Sequence, residues 1–287
     1  MTSNPAFSTS DEHVEMTRVD GEHGPSLTVN QGYVIKEEEN NTTVTIFTSF
    51  VLLEKWIRPL FAEFFGTMTL VFVGSLSGLV GYPDERIDVA SGLLASAIAH
   101  GLVIFFVIEA FAQVSGGHVN PVVTLAVMCC GKLNLILGCF YMVFQLVGAI
   151  CGSALVLAVL TSEQFDYING GTTLPGEGIS TGQAIGSELF FTTILITVAL
   201  QVAIDSKSSQ LAALAIGMVV VANILAGGMI SGPSMNPARS FGPALVTGIW
   251  TDHWIYWVGP PVGSLCSVIF FKFILASADT RWVLKSD

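Results

Sequence analysis

From residue 57 to residue 276 long apolar runs alternate with short polar breaks, which places candidate membrane helices near 57–80, 89–112, 133–160, 181–204, 210–229 and 252–276. Each run approaches the roughly 20 residues a helix needs to cross the hydrocarbon core, where backbone groups must satisfy one another. Six crossings put both termini on one side. Two further apolar runs, 122–130 and 238–248, are too short to cross, and each follows an Asn-Pro pair. Pro121 and Pro237 suit the first turn of a half-helix, where a missing N–H costs nothing, and Asn120 and Asn236 suit its N-cap.

The two short runs belong to a duplication. Residues 114–122, Val-Ser-Gly-Gly-His-Val-Asn-Pro-Val, match residues 230–238, Ile-Ser-Gly-Pro-Ser-Met-Asn-Pro-Ala, at an offset of 116. At the same offset Ala99-His100-Gly101 falls opposite Ala215-Ile216-Gly217, and Ala62-Glu63-Phe64-Phe65 resembles Ser187-Glu188-Leu189-Phe190 at the corresponding place of the other half. One unit is then three spans plus one Asn-Pro loop, about 57–160 and again about 181–276. Three spans is an odd number, so the second copy is inverted. The loops therefore enter the membrane from opposite faces, and this arrangement builds sites near the bilayer midplane.

Composition agrees with a membrane protein: 52% of residues are hydrophobic and 11% charged. The formal charge of −11 is concentrated away from the spans, since residues 1–50 hold eight of the 22 acids and two of the 11 basic residues. Residues 1–52 read as an acidic, disordered cytoplasmic tail, and 53–287 as the membrane domain. The run Glu37 to Glu39 reads as a solvated stretch. No basic stretch followed by an apolar core opens the chain, so no cleavable signal peptide is expected and the first span would direct insertion. Lys55, Arg58, Lys132, Lys207, Lys272, Arg281 and Lys285 share one side, whereas the other receives Arg86 beside Asp84, Glu85 and Asp88. By the positive-inside rule both termini are cytoplasmic, and the Asn40-Asn41-Thr42-Thr43 sequons would stay unglycosylated. Cys129, Cys130, Cys139, Cys151 and Cys266 lie in or beside apolar segments without metal-ligand spacing and read as small packing residues.

Two half-helices that meet end to end at mid-membrane aim their positive dipole ends at one spot. A cation, including a proton on a water chain, is repelled there, while water can donate and accept as it passes. The Asn120 and Asn236 amides are expected to aim N–H donors into such a pore. SGGHVNPVVT and SGPSMNPARSFGPA resemble the signatures of the aquaporin (major intrinsic protein) family, over roughly 57–285. ILAGG, HWIYWVGP and TRWVLK are most similar to the aquaporin-8 group.

The resemblance implies an all-α membrane fold with six spans and two re-entrant half-helices, and a passive channel for water, ammonia and hydrogen peroxide that excludes ions. It also implies a homotetramer with one pore per subunit, without cofactor, metal or nucleic-acid partner, in the plasma membrane or an intracellular membrane. Pore-centre positions are Asn120, Pro121, Val122, Asn236, Pro237 and Ala238. The first motif departs from the family at Val122, whose extra bulk is expected to change packing slightly.

By spacing from the two asparagines, the family's outer constriction falls on His100, Ile224, Pro233 through its carbonyl, and Arg239. Strict water pores carry Phe and His where this chain has His100 and Ile224, so a constriction wider at one wall and more apolar at the other is expected. Glu63 and Glu188 resemble the carboxylates that accept bonds from the loops and support them, an alternative preferred to a proton relay. Glu109 faces either a cavity or a helix contact. Gly66, Gly148 and Gly217 are expected to permit close helix approach.

Three other functions compete with this reading. A glycerol facilitator typically has Asp after the second Asn-Pro-Ala-Arg, where this chain has Ser240. A secondary transporter would need an ion-coupling carboxylate cluster around the site. For a membrane enzyme, no nucleophile sits at recognisable spacing from a base and no metal triplet appears.

Overall fold

The computed structural model describes residues 17–21, 24–29, 33–36, 52–82, 89–205 and 209–283. The expectations for Glu37 to Glu39, the Asn40 sequons, the segment around Arg86, Lys207 and Lys285 lie outside them.

The described residues divide into two compact units, one up to Arg58 and one from Pro59 onward. The smaller contains an antiparallel meander of β1 (Thr17–Gly21), β2 (Gly24–Val29) and β3 (Tyr33–Lys36), with Thr17 opposite Thr28 and Ser26 opposite Lys36. These strands fall within the segment read from its composition as a tail. They coincide with short runs of strand-forming Val, Thr, Leu, Tyr and Ile.

The larger unit is helical among its described residues. Five helices are long and apolar enough to span a bilayer: α1 (Leu53–Leu79), α2 (Ala90–Phe111), α4 (Leu135–Val159), α6 (Thr181–Ile204) and α9 (Ile255–Leu275). The sixth expected span, α7 (Ala212–Gly227), is apolar but has 16 residues, about 24 Å at the helical rise. The half-helices are α3 (Pro121–Cys129) and α8 (Pro237–Thr247), and α5 (Ser162–Tyr167) caps the loop between the halves.

The duplication is visible in the packing. α2 packs along α7, α4 along half-helix α8, and α9 along half-helix α3, so each half-helix is held by a span of the opposite repeat. α2 and α7 cross at Gly101 and Gly217, matching residues of the two copies: a side chain on either would run into the other's carbonyl. The second crossing type also occurs twice. Gly148 on α4 lies against the Phe64 carbonyl of α1, and Gly263 on α9 lies against the Leu189 carbonyl of α6. One turn on, Gly152 meets the Met68 carbonyl, whereas its counterpart Ser267 donates its hydroxyl to the Thr193 carbonyl at 2.7 Å.

Lipid-side hydrophobicity cannot drive such contacts, so close backbone approach and interhelical hydrogen bonds must. Large apolar residues such as Phe61, Phe65, Phe140 and Phe190 are correspondingly exposed on the outer surface. Cys129, Cys139 and Cys266 are exposed too. Among the cysteines only Cys130 is buried, which corrects the packing role expected of all five.

Candidate functional site

The sequence Asn-Pro acts locally in both loops as expected. Asn120 and Asn236 have extended backbones and cap α3 and α8: the Asn120 Oδ1 accepts from the Val122 N–H at 3.0 Å, and the Asn236 Oδ1 accepts from Ala238 at 3.0 Å and Arg239 at 3.2 Å. Pro121 and Pro237 open the helices. The preceding residues, Val119 and Met235, have φ of 42° and 53°. Positive φ is costly for non-glycine residues, above all a β-branched one, so the surroundings must hold it.

Two buried carboxylates do so. Glu63 accepts from the Ser115 hydroxyl at 2.6 Å and from the N–H groups of His118 at 2.9 Å and Val119 at 2.7 Å. Glu188 accepts from the Ser231 hydroxyl and from the N–H groups of Ser234 and Met235, each at 2.8 Å. Tyr141 and Tyr256 complete the pattern by donating to the carbonyls of Ser115 and Ser231. The copies part at Gln145, which donates to both Glu63 and Thr124 and has Pro260 as its counterpart.

The loops are then tied to each other. The Asn120 Nδ2 donates to the Met235 carbonyl at 2.8 Å, and the Asn236 Nδ2 donates to the Val119 carbonyl at 2.9 Å. An amide NH₂ has two hydrogens. One of each is committed across the pair, so a single donor per asparagine is left for a passing molecule, fewer than the sequence suggests. Both half-helix N-termini therefore converge on this pair with their dipoles facing it.

On one side of the pair lies a cavity of about 250 Å³, lined by Asn120 and His118 and by the apolar side chains of Val123, Ile216 and Val220 among others. Glu109 and Gln113 also line it, which resolves Glu109 as a cavity residue.

Residues 51–271 match the major intrinsic protein family. The chain belongs to that family. It is 38% identical to "Aquaporin-8" of Notomys alexis, over 81% of this chain and 88% of that protein. "Aquaporin TIP2-1" of Arabidopsis thaliana is 37% identical over 80% of this chain and 93% of its own. Among solved structures, the aquaglyceroporin from Plasmodium falciparum superposes with a TM-score of 0.66 at 25% identity, covering 76% of this chain and 96% of that one. This major intrinsic protein is thus a multi-pass membrane channel for passive passage of water and small solutes.

The residues expected at an outer constriction have the following surroundings. Arg239, on the first turn of α8, donates through Nη1 to the Gly171 carbonyl at 2.7 Å, and its Nη2 is 3.4 Å from the His100 Nε2. His100 Nδ1 lies 2.8 Å from the Ser96 carbonyl, which can only accept, so Nδ1 carries the proton and Nε2 faces Arg239 as an acceptor. The ring occupies space that a side chain at Gly74 would fill. Ile224 and Pro233 are both buried, and no hydrogen bond joins either to the His100–Arg239 pair.

Val122 is buried with Ile196, Leu200 and Val268, so its extra bulk packs into an apolar cluster, while Ala238 is buried against Val71 and Ala149. Sequence reasoning missed Tyr141, Tyr256 and Gln145. Their signal was present, since the two tyrosines occupy corresponding places on α4 and α9.

Proposed function

We propose that this channel passes water, ammonia and hydrogen peroxide through two narrow points in series. The first is the pair Asn120 and Asn236 with Pro121, Val122, Pro237 and Ala238; the second is formed by His100, Ile224, Arg239 and the Pro233 carbonyl. The reading rests above all on the reciprocal bonds between the Asn amides and the Met235 and Val119 carbonyls. They fix one N–H of each amide and leave one for a neutral molecule, at a place where two half-helix dipoles disfavour a cation. The fixed charge of Arg239 adds a second barrier to cations. Glu63 and Glu188 serve as loop supports, since their oxygens are occupied by loop donors.

The expected orientation has both termini in the cytoplasm, supported by the one-sided distribution of Lys and Arg. The exposed apolar outer surface suits both lipid and a homotetramer with one pore per subunit. Reconstitution into liposomes, with water, ammonia, peroxide and glycerol fluxes measured in parallel, tests the solute range. Water, ammonia and peroxide should each exceed empty vesicles. Glycerol flux equal to water flux would favour the glycerol reading instead, against the presence of Ser240 after Arg239.

A further inference from the structure

Corresponding positions of the two repeats place a triplet of residues behind each Asn-Pro loop. In the first copy it is Gly66 on α1, Val107 on α2 and Val119 in the loop, and Gly66 leaves room for both valine side chains. In the second it is Phe191 on α6, Asn223 on α7 and Met235 in the loop. The aromatic partners are exchanged as well: Phe111 lies over Gly66, whereas the Phe191 ring lies over Gly227, the counterpart of Phe111. The first triplet is wholly apolar. The second contains a buried carboxamide, 4% exposed, that donates to the Phe191 carbonyl at 2.9 Å and lies 3.0 Å from the Met235 sulfur. Since the Phe191 carbonyl can only accept, it fixes which end of the amide faces the sulfur.

Stiffness explains why one copy needs this polar link. Val119 is branched at Cβ and has few rotamers, so packing over Gly66 is enough to hold it. Met235 is unbranched with three rotatable bonds and would drift in the same place. It stands at positive φ, its N–H is held by Glu188, and its carbonyl accepts the Asn120 amide.

We propose that Asn223 is a positioning residue for the pore centre: by tethering the Met235 side chain to α6 it sets the Met235 carbonyl that orients the Asn120 amide. This rests on the reading of Asn120 and Asn236 as the pore centre, and it assigns a role to a residue outside the motifs and the constriction.

The test is a double-mutant cycle with Asn223→Val, which installs the first copy's residue, and Met235→Leu, which removes the sulfur at nearly constant volume. Water permeability per incorporated copy is measured by stopped-flow light scattering in liposomes, with Asn236→Asp as a comparator. Each single variant should lower permeability about threefold to tenfold, the factor that one net hydrogen bond is worth. The double variant should be no worse than the poorer single. Additive losses would mean the two residues act apart and would overturn the proposal. Should Asn223→Val not assemble, Met235→Leu alone decides: a fall supports the tether, and an unchanged permeability overturns it. If Met235→Leu is unchanged while Asn236→Asp lowers permeability, the tether alone fails. If neither changes it, the pore-centre reading fails and takes the tether with it.

Discussion

The two repeats agree where they hold backbone and disagree at the positions proposed to face the permeant. Glu63 and Glu188, Tyr141 and Tyr256, Asn120 and Asn236, and the crossings at Gly101–Gly217 and Gly148 or Gly263 recur with corresponding partners, apart from the extra bonds of Gln145 to Glu63 and of Arg239 to Asn236. The proposed outer constriction is different. His100, Ile224, Pro233 and Arg239 correspond at an offset of 116 to Ile216, Ile108, Gly117 and Val123, and all four of these counterparts line the 250 Å³ cavity on the other side of the asparagine pair. At these four positions one copy thus carries a guanidinium and an imidazole and the other neither, although His118 lines the cavity from a different position. Irregular backbone inside a membrane must be satisfied on both sides of the fold. The fixed positive charge proposed as a further barrier, Arg239, is present in one copy alone.

The largest effect should come from removing what the repeats share. Glu63→Leu strands four donors (the Ser115 hydroxyl, the His118 and Val119 N–H groups and the Gln145 amide), and Glu188→Leu strands three. At about 1–3 kcal/mol for each buried unsatisfied group, either loss is comparable with a typical domain's whole stability. Both variants should fail to give a folded, monodisperse species on thermal melting in detergent, with Glu63→Leu the worse. A well-folded Glu63→Leu beside an unfolded Glu188→Leu would break the equivalence of the two loops.

Next in size is the central crossing. Gly217→Ala places a methyl against the Gly101 carbonyl, and Gly101→Ala meets both the Gly217 carbonyl and Val221. Overpacking of this kind typically costs about 1–3 kcal/mol, so both should lower the melting temperature in detergent. Gly186→Ala on α6 has open space around it and is the control, expected to be neutral or stabilising by up to about 1 kcal/mol. Equal melting temperatures for all three variants would remove the crossing as a point of close contact.

The elements most legible in the sequence were those specified locally. Asn at the N-cap and Pro at the first turn announce a half-helix without any tertiary information, and the offset of 116 holds because the preceding span's residues stand at the same distance from the Asn-Pro pair in both copies. That one offset also hid part of the symmetry. α1 and α6 correspond at 125, α4 and α9 at 115, because the connecting segments differ in length. The pairings of Gly263 with Leu189, and of Phe191 with Gly227, therefore could not be read along the chain.

The short span α7 shows another limit, since hydropathy gave its apolar stretch but not where the helix stops. Nor does pattern reveal which backbone donor a buried carboxylate meets. The sequence marked Glu63 and Glu188 as unusual, and only the fold supplies the Val119 and Met235 N–H groups that they hold at positive φ.

Making the two openings alike sharpens the comparison further. Arg239→Val gives the outer position its counterpart's residue, Val123, and removes the bond to the Gly171 carbonyl and the contact with His100. The opening should widen and lose its charge. The glycerol-to-water permeability ratio should rise by about tenfold, equivalent to roughly 1.4 kcal/mol of barrier. Stopped-flow measurement of both solutes in the same liposomes decides it, and an unchanged ratio would show that the openings differ in residue but not in consequence.

The smallest expected effect belongs to His100, which distinguishes the outer opening from the inner by polarity more than by charge. His100→Phe removes the ring nitrogens, and with them the link to the Ser96 carbonyl and the acceptor that faces Arg239. A phenyl ring is also longer than an imidazole, so it should press toward the opening, in the space that Gly74 leaves. Ammonia is about the size of water, so it should lose mainly the polar partner, whereas peroxide is longer and should suffer from the narrowing as well. The expected result is a fall of about twofold to fivefold in ammonia and peroxide permeability relative to water, the range that a fraction of one hydrogen bond allows. Adding Ile224→His restores a polar group on the opposite wall and should carry the pore further toward water alone. The three fluxes measured together in one vesicle preparation separate the possibilities: a parallel fall in all three would make His100 a structural residue, and unchanged ratios in both variants would show that this wall does not set selectivity.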